Sequence, residues 1–412
     1  VIPVEAPWRP WCRSCEWNLD AAPGPTGRAA RSAARHEARA RRLLRTGRRD
    51  RTGIGAWLAL GLSTAAVAAT GLVFVGALAL LVVGRRSPVM VGLALILAAV
   101  AVVVRPRPVR LEGSAVVVDP ERAPVLWATI ADVADRLGGP RPDVVVVDLD
   151  ANASIGRIGA RPRAVLRLGL PLWIVLDPRQ RLGLLAHELG HLAHRDPRQG
   201  RVVGLALTTL VRWRVMMTPP PMASGGLPLG TGVVLAGLRT VVAAWTAAIG
   251  RLHLAAVQRA ELRSDRAAVG VAGYGAYVGL LRWLARSDHI GHATRIALVR
   301  RDGVDFVTSL LGTVRALPAG EAERLDRLAE RAPYDPGASH PPVRLRLQAI
   351  DDLDAAAGTI PVDADRWATI DTELAPLLAT LVDRGTDAAR ARHDRFTGHF
   401  PPRQPAGPQG SR

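Results

Sequence analysis

The sequence predicts a mostly helical α+β protein: an N-terminal hairpin of two transmembrane helices, then a helical domain that carries a small β-sheet. Three observations predict it. Residues 54–84 contain no charged side chain, and a second uncharged run covers 87–104. Apolar residues recur at helical spacing around 182–192, 257–270 and 366–384, the pattern of amphipathic helices. Between these lies VVVVDLD (144–150), a short β-rich run followed soon by AVLRLGL (164–170).

The membrane hairpin comes first. A bilayer core needs about 20 apolar residues as a helix. The run from Ile54 exceeds that, and the run from Ser87 is close to the minimum. Arg85, Arg86, Ser87 and Pro88 make the turn between them. Eight arginines lie between Arg35 and Arg51, and Arg105, Arg107 and Arg110 follow the second run, against two arginines in the turn. The excess of positive charge on the outer flanks puts both termini, and whatever follows residue 105, on the cytoplasmic side, as in a bacterial plasma membrane. Nothing before residue 54 resembles a cleavable signal peptide. Two later apolar stretches, 202–217 and 232–250, are interrupted by Arg212, Arg214 and Arg239. They read either as core helices or as helices entering the membrane.

Composition agrees. Hydrophobic residues make up 49% of the chain but aromatics only 4%, so small aliphatic residues supply the packing. The net charge is +18, and all 54 basic residues are arginine. Nucleic-acid binding needs such charge on one folded face; here much of it flanks an apolar block, so nucleic acid is not an expected partner. No feature of the sequence sets an oligomeric state.

The stretch LLAHELGHLAHRD (184–196) carries the chemistry. Asp177 can cap a helix, Pro178 suits its first position, and Gln180 completes a capping box. On that helix His187 and His191 stand one turn apart and present both imidazoles to one point. Zinc takes such nitrogens, and a catalytic zinc site has three protein ligands plus water. Glu188 follows the first histidine but points aside from both, which suits a general base for a metal-bound water. The alternative is two surface histidines on an amphipathic helix.

A third ligand must come from elsewhere. The carboxylates between His191 and residue 300 are Asp196, Glu261, Asp265 and Asp288. Asp196 lies only five residues on and would need a sharp reversal. Glu261 and Asp265 share a helix face in VQRAELRSDRAAVG. A glutamate ligand with an aspartate one turn on is chemically sensible, because the aspartate can accept the free N–H of a ligating histidine. A surface salt-bridge helix with Arg259, Arg263 and Arg266 is the alternative reading.

At this point HELGH followed by Arg195-Asp196, and then ELRSD, resembles the HtpX-like membrane zinc metallopeptidases, the HExxH family that includes the CAAX prenyl proteases. DLDANASIG (148–156) is similar to that family's edge-strand segment, and SHPPVRLRLQAI (339–350) to its His-Pro segment. The resemblance covers roughly residues 105 to 352. It implies a zincin-type fold and one Zn²⁺ held by His187, His191 and Glu261, with Glu188 as base. Asp265, Asp196 and Arg346 would stand behind the ligands, and His340 would assist catalysis as an oxyanion donor. Asn152 and Ala153 would sit on an edge strand that pairs with extended substrate. Leu262 stands where the family has an aromatic residue, and Ser264 where it has alanine. The activity implied is peptide-bond hydrolysis by a metal-activated water, in membrane-protein quality control. The expected partners are a peptide or protein substrate and the lipid bilayer. A catalytically silent zinc scaffold or sensor is the rival.

The ends complete the expected organisation: a basic cytoplasmic tail (1–53), the hairpin (54–104), the metallopeptidase domain (105–355), and a C-terminal helix with a disordered tail (356–412). WCRSCEWNLD (11–20) holds Cys12 and Cys15, half of a four-cysteine zinc knuckle or a redox pair. Trp11 and Trp17 suggest that it forms a small ordered knob.

Overall fold

The structure, a computed structural model, describes residues 8–19, parts of 26–41, 54–107, 115–159, 161–194, 196–218, 229–300, 303–332 and 340–397. Helix α1 (Ile54–Val83) and helix α2 (Pro88–Val104) form the hairpin, with Ser87 preceding α2 and Pro88 in its first turn. Only small residues of α1 are buried: Ala59, Ser63, Ala66, Thr70 and Ala77. The first four form a seam at three- and four-residue intervals, continued by Ala77 two turns on, that lets other backbones approach closely. Large side chains such as Leu72, Phe74 and Val82 are exposed. A continuous uncovered apolar surface of this kind belongs against lipid.

Two further helices use the seam: α6 (Asp196–Met216) and α7 (Leu229–Ala272). The indole of Trp213 donates to Thr70 Oγ1 at 3.2 Å, and that of Trp245 to the Leu62 carbonyl at 3.1 Å. Ala66, Val203, Ala206, Leu210 and Ile249 close a small core between the three helices. The stretches 202–217 and 232–250 therefore both lie along α1. Two helices, Ile54–Val83 and Thr231–Ala272, are long and apolar enough to cross a membrane. Helix α2, with 17 residues, is shorter, at about the lower limit for a span.

The second body is built on a four-stranded sheet of order β1-β2-β4-β3. Its strands are β1 (Val116–Val117), β2 (Val144–Asp148), β3 (Ala153–Ile158) and β4 (Arg163–Gly169). Strands β2 and β4 run parallel, while β1 and β3 pair antiparallel at the two edges. Helix α3 (Pro124–Arg136) packs Leu126 and Ile130 beside Val145 and Val147 of β2 and Leu166 and Leu168 of β4. Strand β4 runs into α4 (Leu170–Val175), which leads to α5 (Pro178–Ala193). Then come α8 (Tyr274–Ala285), α9 (Ser287–Val299), α10 (Phe306–Arg315), α11 (Ala319–Arg331), α12 (Val343–Ile350) and α13 (Ala364–Thr397).

Helix α13 is longer than the expected 366–384 and is not an appendage. Its Trp367, Ile370, Leu374 and Leu381 belong to the same core as Trp173 and Leu185. The Glu373 carboxylate accepts the Val125 and Leu126 amides at 2.9 and 3.0 Å, stabilising the start of α3. Buried Arg181 pairs with Asp371 at 2.8 Å and lies over the Trp173 ring. The boundary expected at 355 thus divides no core. The tail beyond residue 397 lies outside the described residues.

Candidate metal centre

Helix α5 starts as local chemistry dictates. Asp177 accepts the Gln180 amide at 2.9 Å, and the Gln180 side chain accepts the Asp177 amide at 3.1 Å. Leu182, Leu185, Leu189 and Leu192 are buried, and so are His187 and Glu188. Helix α5 crosses α7 at Gly190: a Cβ there would meet the Ser264 Oγ, Cα and Cβ atoms at 3.1–3.3 Å. The missing side chain lets the two helices approach, and Glu261, one turn before Ser264, arrives opposite the histidines.

The three side chains converge. His187 Nε2 and His191 Nε2 lie 3.3 Å apart. Glu261 places Oε2 3.6 Å from His187 Nε2 and Oε1 3.4 Å from His191 Nε2. Two imidazole nitrogens facing one another beside a buried carboxylate are a donor set suited to a cation. Ligands 2.0–2.1 Å from a shared tetrahedral ion stand about 3.3 Å apart, so this donor set fits zinc.

Behind His187 is a buried polar cluster. Its Nδ1 lies 3.1 Å from Asp265 Oδ1 and 2.9 Å from the Tyr277 hydroxyl. Tyr277 donates to Asp265 at 2.6 Å. Arg346 donates to Asp265 at 2.7 Å and to the Tyr277 oxygen at 2.8 Å. Burial, and then the neighbouring Arg346 guanidinium, push the His187 imidazole below its ordinary range. The contact with Asp265 is therefore a hydrogen bond from a neutral ring, not an ion pair, and it leaves the Nε2 lone pair free to bind metal. Burial pushes the Tyr277 phenol well above its usual range, so it stays a donor. Tyr277 was absent from the sequence reading.

Breaking this cluster has a calculable consequence. Arg346→Met keeps side-chain volume but leaves Asp265 buried beside no cation. Removing one partner of a buried pair costs about 3–5 kcal/mol. A lower unfolding midpoint in detergent is expected, with much of the loss recovered in the Arg346→Met/Asp265→Asn double variant. An unchanged midpoint in the single variant would contradict the role of the pair.

A cavity of about 280 Å³ opens onto the centre. His187, Glu188, Tyr277, His340 and Arg346 line its polar side, and Leu184, Leu280, Leu284 and Val343 its apolar side. Asn152 borders it at the end of the sheet. That position depends on Gly169, where any Cβ would fall 1.8 Å from the Asp150 carbonyl. The Gly169 amide donates to the Asn152 carbonyl at 2.8 Å. Ala153 starts edge strand β3, but its methyl is buried in the core.

His340 stands in the cavity wall beside the ligands. Its Nδ1 lies 2.5 Å from Glu261 Oε2, and His187, Glu261 and His340 together form a second possible ligand trio. A separation of 2.5 Å is a hydrogen bond; two atoms sharing one ion would stand farther apart. The carboxylate only accepts, so Nδ1 donates to it and holds the carboxylate, while the ring also borders the cavity. Asp288 is exposed and takes no part in the contacts of the centre. Asp196 begins α6, and its side chain lies outside the described residues. Cys12 and Cys15 take no part in the centre. Their neighbours Trp11 and Arg13 fasten the segment to α11 at Gly320 and Glu323.

Comparison with known proteins gives the same direction. A model of peptidase family M48 matches residues 120–354, more than half of the chain. A Protease HtpX homolog of Polynucleobacter necessarius subsp. necessarius (strain STIR1) is 30% identical over 79 residues, 19% of this chain and 27% of that protein. A Protease HtpX homolog of Pyrobaculum calidifontis (strain DSM 21063 / JCM 11548 / VA1) is 27% identical over 243 residues, 56% of this chain and 68% of that protein. The chain thus spans about a quarter of the first relative and two thirds of the second. No solved structure matches. A match over residues 120–354, which hold the facing histidines, Glu261 and the cluster behind them, leaves one assignment: the chain belongs to peptidase family M48.

Proposed function

We propose that this protein is a membrane-anchored, zinc-dependent endopeptidase that cleaves extended segments of protein substrates. One observation carries the reading. His187, His191 and Glu261 meet within 3.6 Å, and His187 and Glu188 line a cavity that reaches Asn152, the residue before edge strand β3. When bound, zinc supplies Lewis acidity that polarises the scissile carbonyl and makes a neighbouring water more acidic. The remaining work falls to the chain. Glu188 accepts the water's proton and hands it to the departing amine. The free edge of β3, which begins at Ala153, hydrogen-bonds the substrate main chain, which binds peptides without demanding one sequence, while Asn152 borders the cavity beside it. Leu280, Leu284 and Val343 offer the apolar wall for a side chain. Asp265, Tyr277 and Arg346 hold His187 in the tautomer that leaves Nε2 open, and His340 holds Glu261.

The anchor is continuous with the site. In this reading residues 54–104 tether the domain that follows residue 105. A side chain at Gly55, at the foot of α1, would lie 3.7 Å from the Leu252 carbonyl of α7. Glu261 follows nine residues later on the same unbroken helix, about 14 Å further along. Such a height suits substrate segments emerging from the bilayer, the requirement of membrane-protein quality control. Both termini and the site then face the cytoplasm.

Purified protein in detergent is expected to cleave casein, to lose that activity on chelation, and to regain it with about one zinc per chain. Cleavage indifferent to chelation would overturn the reading. Stoichiometric zinc without cleavage would favour a silent scaffold, although a scaffold has no use for Glu188.

A further inference from the structure

Cys12 and Cys15 sit in a tight turn closed by the Glu16 amide on the Cys12 carbonyl at 2.8 Å and the Cys12 amide on the Trp17 carbonyl at 3.1 Å. The turn is fastened to α11 on every side. The Trp11 indole is buried and donates to the Gly320 carbonyl at 3.1 Å, with the Arg327 guanidinium over its ring. Arg327 also donates to the Arg13 carbonyl at 2.8 Å, and Arg13 pairs with Glu323 at 2.7 Å. Glu16 meets Arg327 and Arg331. Within this frame both thiols are free, Cys12 half-buried and Cys15 exposed. The Cys15 amide and thiol and then the Ser14 amide, its neighbours in the turn, hold the Cys12 pKa below the usual thiol range.

We propose that Cys12 and Cys15 form a reversible thiol–disulfide site that exchanges with a low-molecular-weight disulfide of the glutathione type. The two cysteines share one hydrogen-bonded turn, three residues apart, and one of them is open to solvent, so the pair can be reached and closed within the anchored segment. The Cys12 thiolate attacks one sulfur of the incoming disulfide, whose S–S bond breaks and releases one thiolate to take up a proton. The Cys15 thiol then loses its proton, and its sulfur attacks the Cys12 sulfur, expelling the second small thiol. Two protein thiols give up two electrons and two protons, and one disulfide becomes two thiols. A metal is the competing occupant, but two thiolates fill half of a tetrahedral site. Among the described residues, no cluster of three ligating side chains includes either cysteine. Glu16, the nearest acid in sequence, is engaged by its two arginines. The site also has a consequential position. Helix α11 leads toward the segment that bears His340, and Glu37 of the same N-terminal region pairs with Arg344 of α12 at 2.5 Å.

The test counts thiols on the full-length protein in detergent, across a series of reduced and oxidised glutathione, by alkylation and mass measurement. It is independent of proteolysis. Wild type is expected to lose both thiols together as an intramolecular disulfide, reversed by reductant. Cys15→Ser should accumulate a glutathione adduct on Cys12, roughly tenfold faster than Cys12→Ser does on Cys15, because the attacking group is the thiolate. Equal rates in the two variants, or independent reaction of the two thiols in wild type, overturn the proposal. So does zinc bound beyond the catalytic equivalent and lost in Cys12→Ser, which would make the pair a metal site.

Discussion

Glu188→Gln is expected to lower kcat for peptide cleavage by about 10²–10⁴-fold, the contribution of a positioned general base. Glutamine keeps the length and polarity of the side chain, so a buried wall of the cavity is not reshaped. His187, His191 and Glu261 are untouched, so bound metal should stay at the wild-type level. KM should move little, because the lost interaction belongs to the transition state. Three readings on one preparation decide the matter: turnover, metal content and unfolding midpoint. Turnover equal to wild type would remove Glu188 from the chemistry. Loss of metal together with turnover would mean that it shapes the centre instead.

How far this centre was legible in the sequence depends on whether each part is local. The capping pair Asp177 and Gln180 and the histidines one turn apart follow from spacing on a single helix. Glu261 lies seventy residues beyond His191. Spacing alone could nominate it only among several carboxylates, and its meeting with the histidines depends on Gly190 lying against Ser264. Tyr277 was not legible at all. It stands in YVGLL, where an aromatic at apolar spacing reads as core, and only the fold turns its hydroxyl onto Asp265 and His187. The membrane hairpin was clear from uninterrupted apolar length, whereas Arg239 obscured the first half of α7. That α7 continues from the membrane bundle to Glu261 could not be read from any one window of the sequence. The docking of residues 8–19 on α11 was equally hidden, because arginine–glutamate pairs between distant segments leave no periodic trace.

The ligand set makes the second large prediction, since His191 and His340 compete for one place in it. Distances separate them. His191 stands 3.3 Å from His187 and 3.4 Å from Glu261, close to the roughly 3.3 Å edge of a tetrahedron around zinc. His340 stands 2.5 Å from Glu261, a hydrogen-bond length. His191→Ala and Glu261→Ala should therefore each reduce bound zinc far below one per chain after dialysis. His340→Ala should retain zinc but yield it to a competing chelator about 10–100-fold more readily, the usual effect of losing a group that orients a ligand. His340→Gln, which can still donate a hydrogen bond to the carboxylate, should recover part of that affinity. The reverse order, with zinc kept in His191→Ala and lost in His340→Ala, would move the third bond to the His-Pro segment. It would also leave His191 as a buried-helix histidine beside a centre that it does not serve.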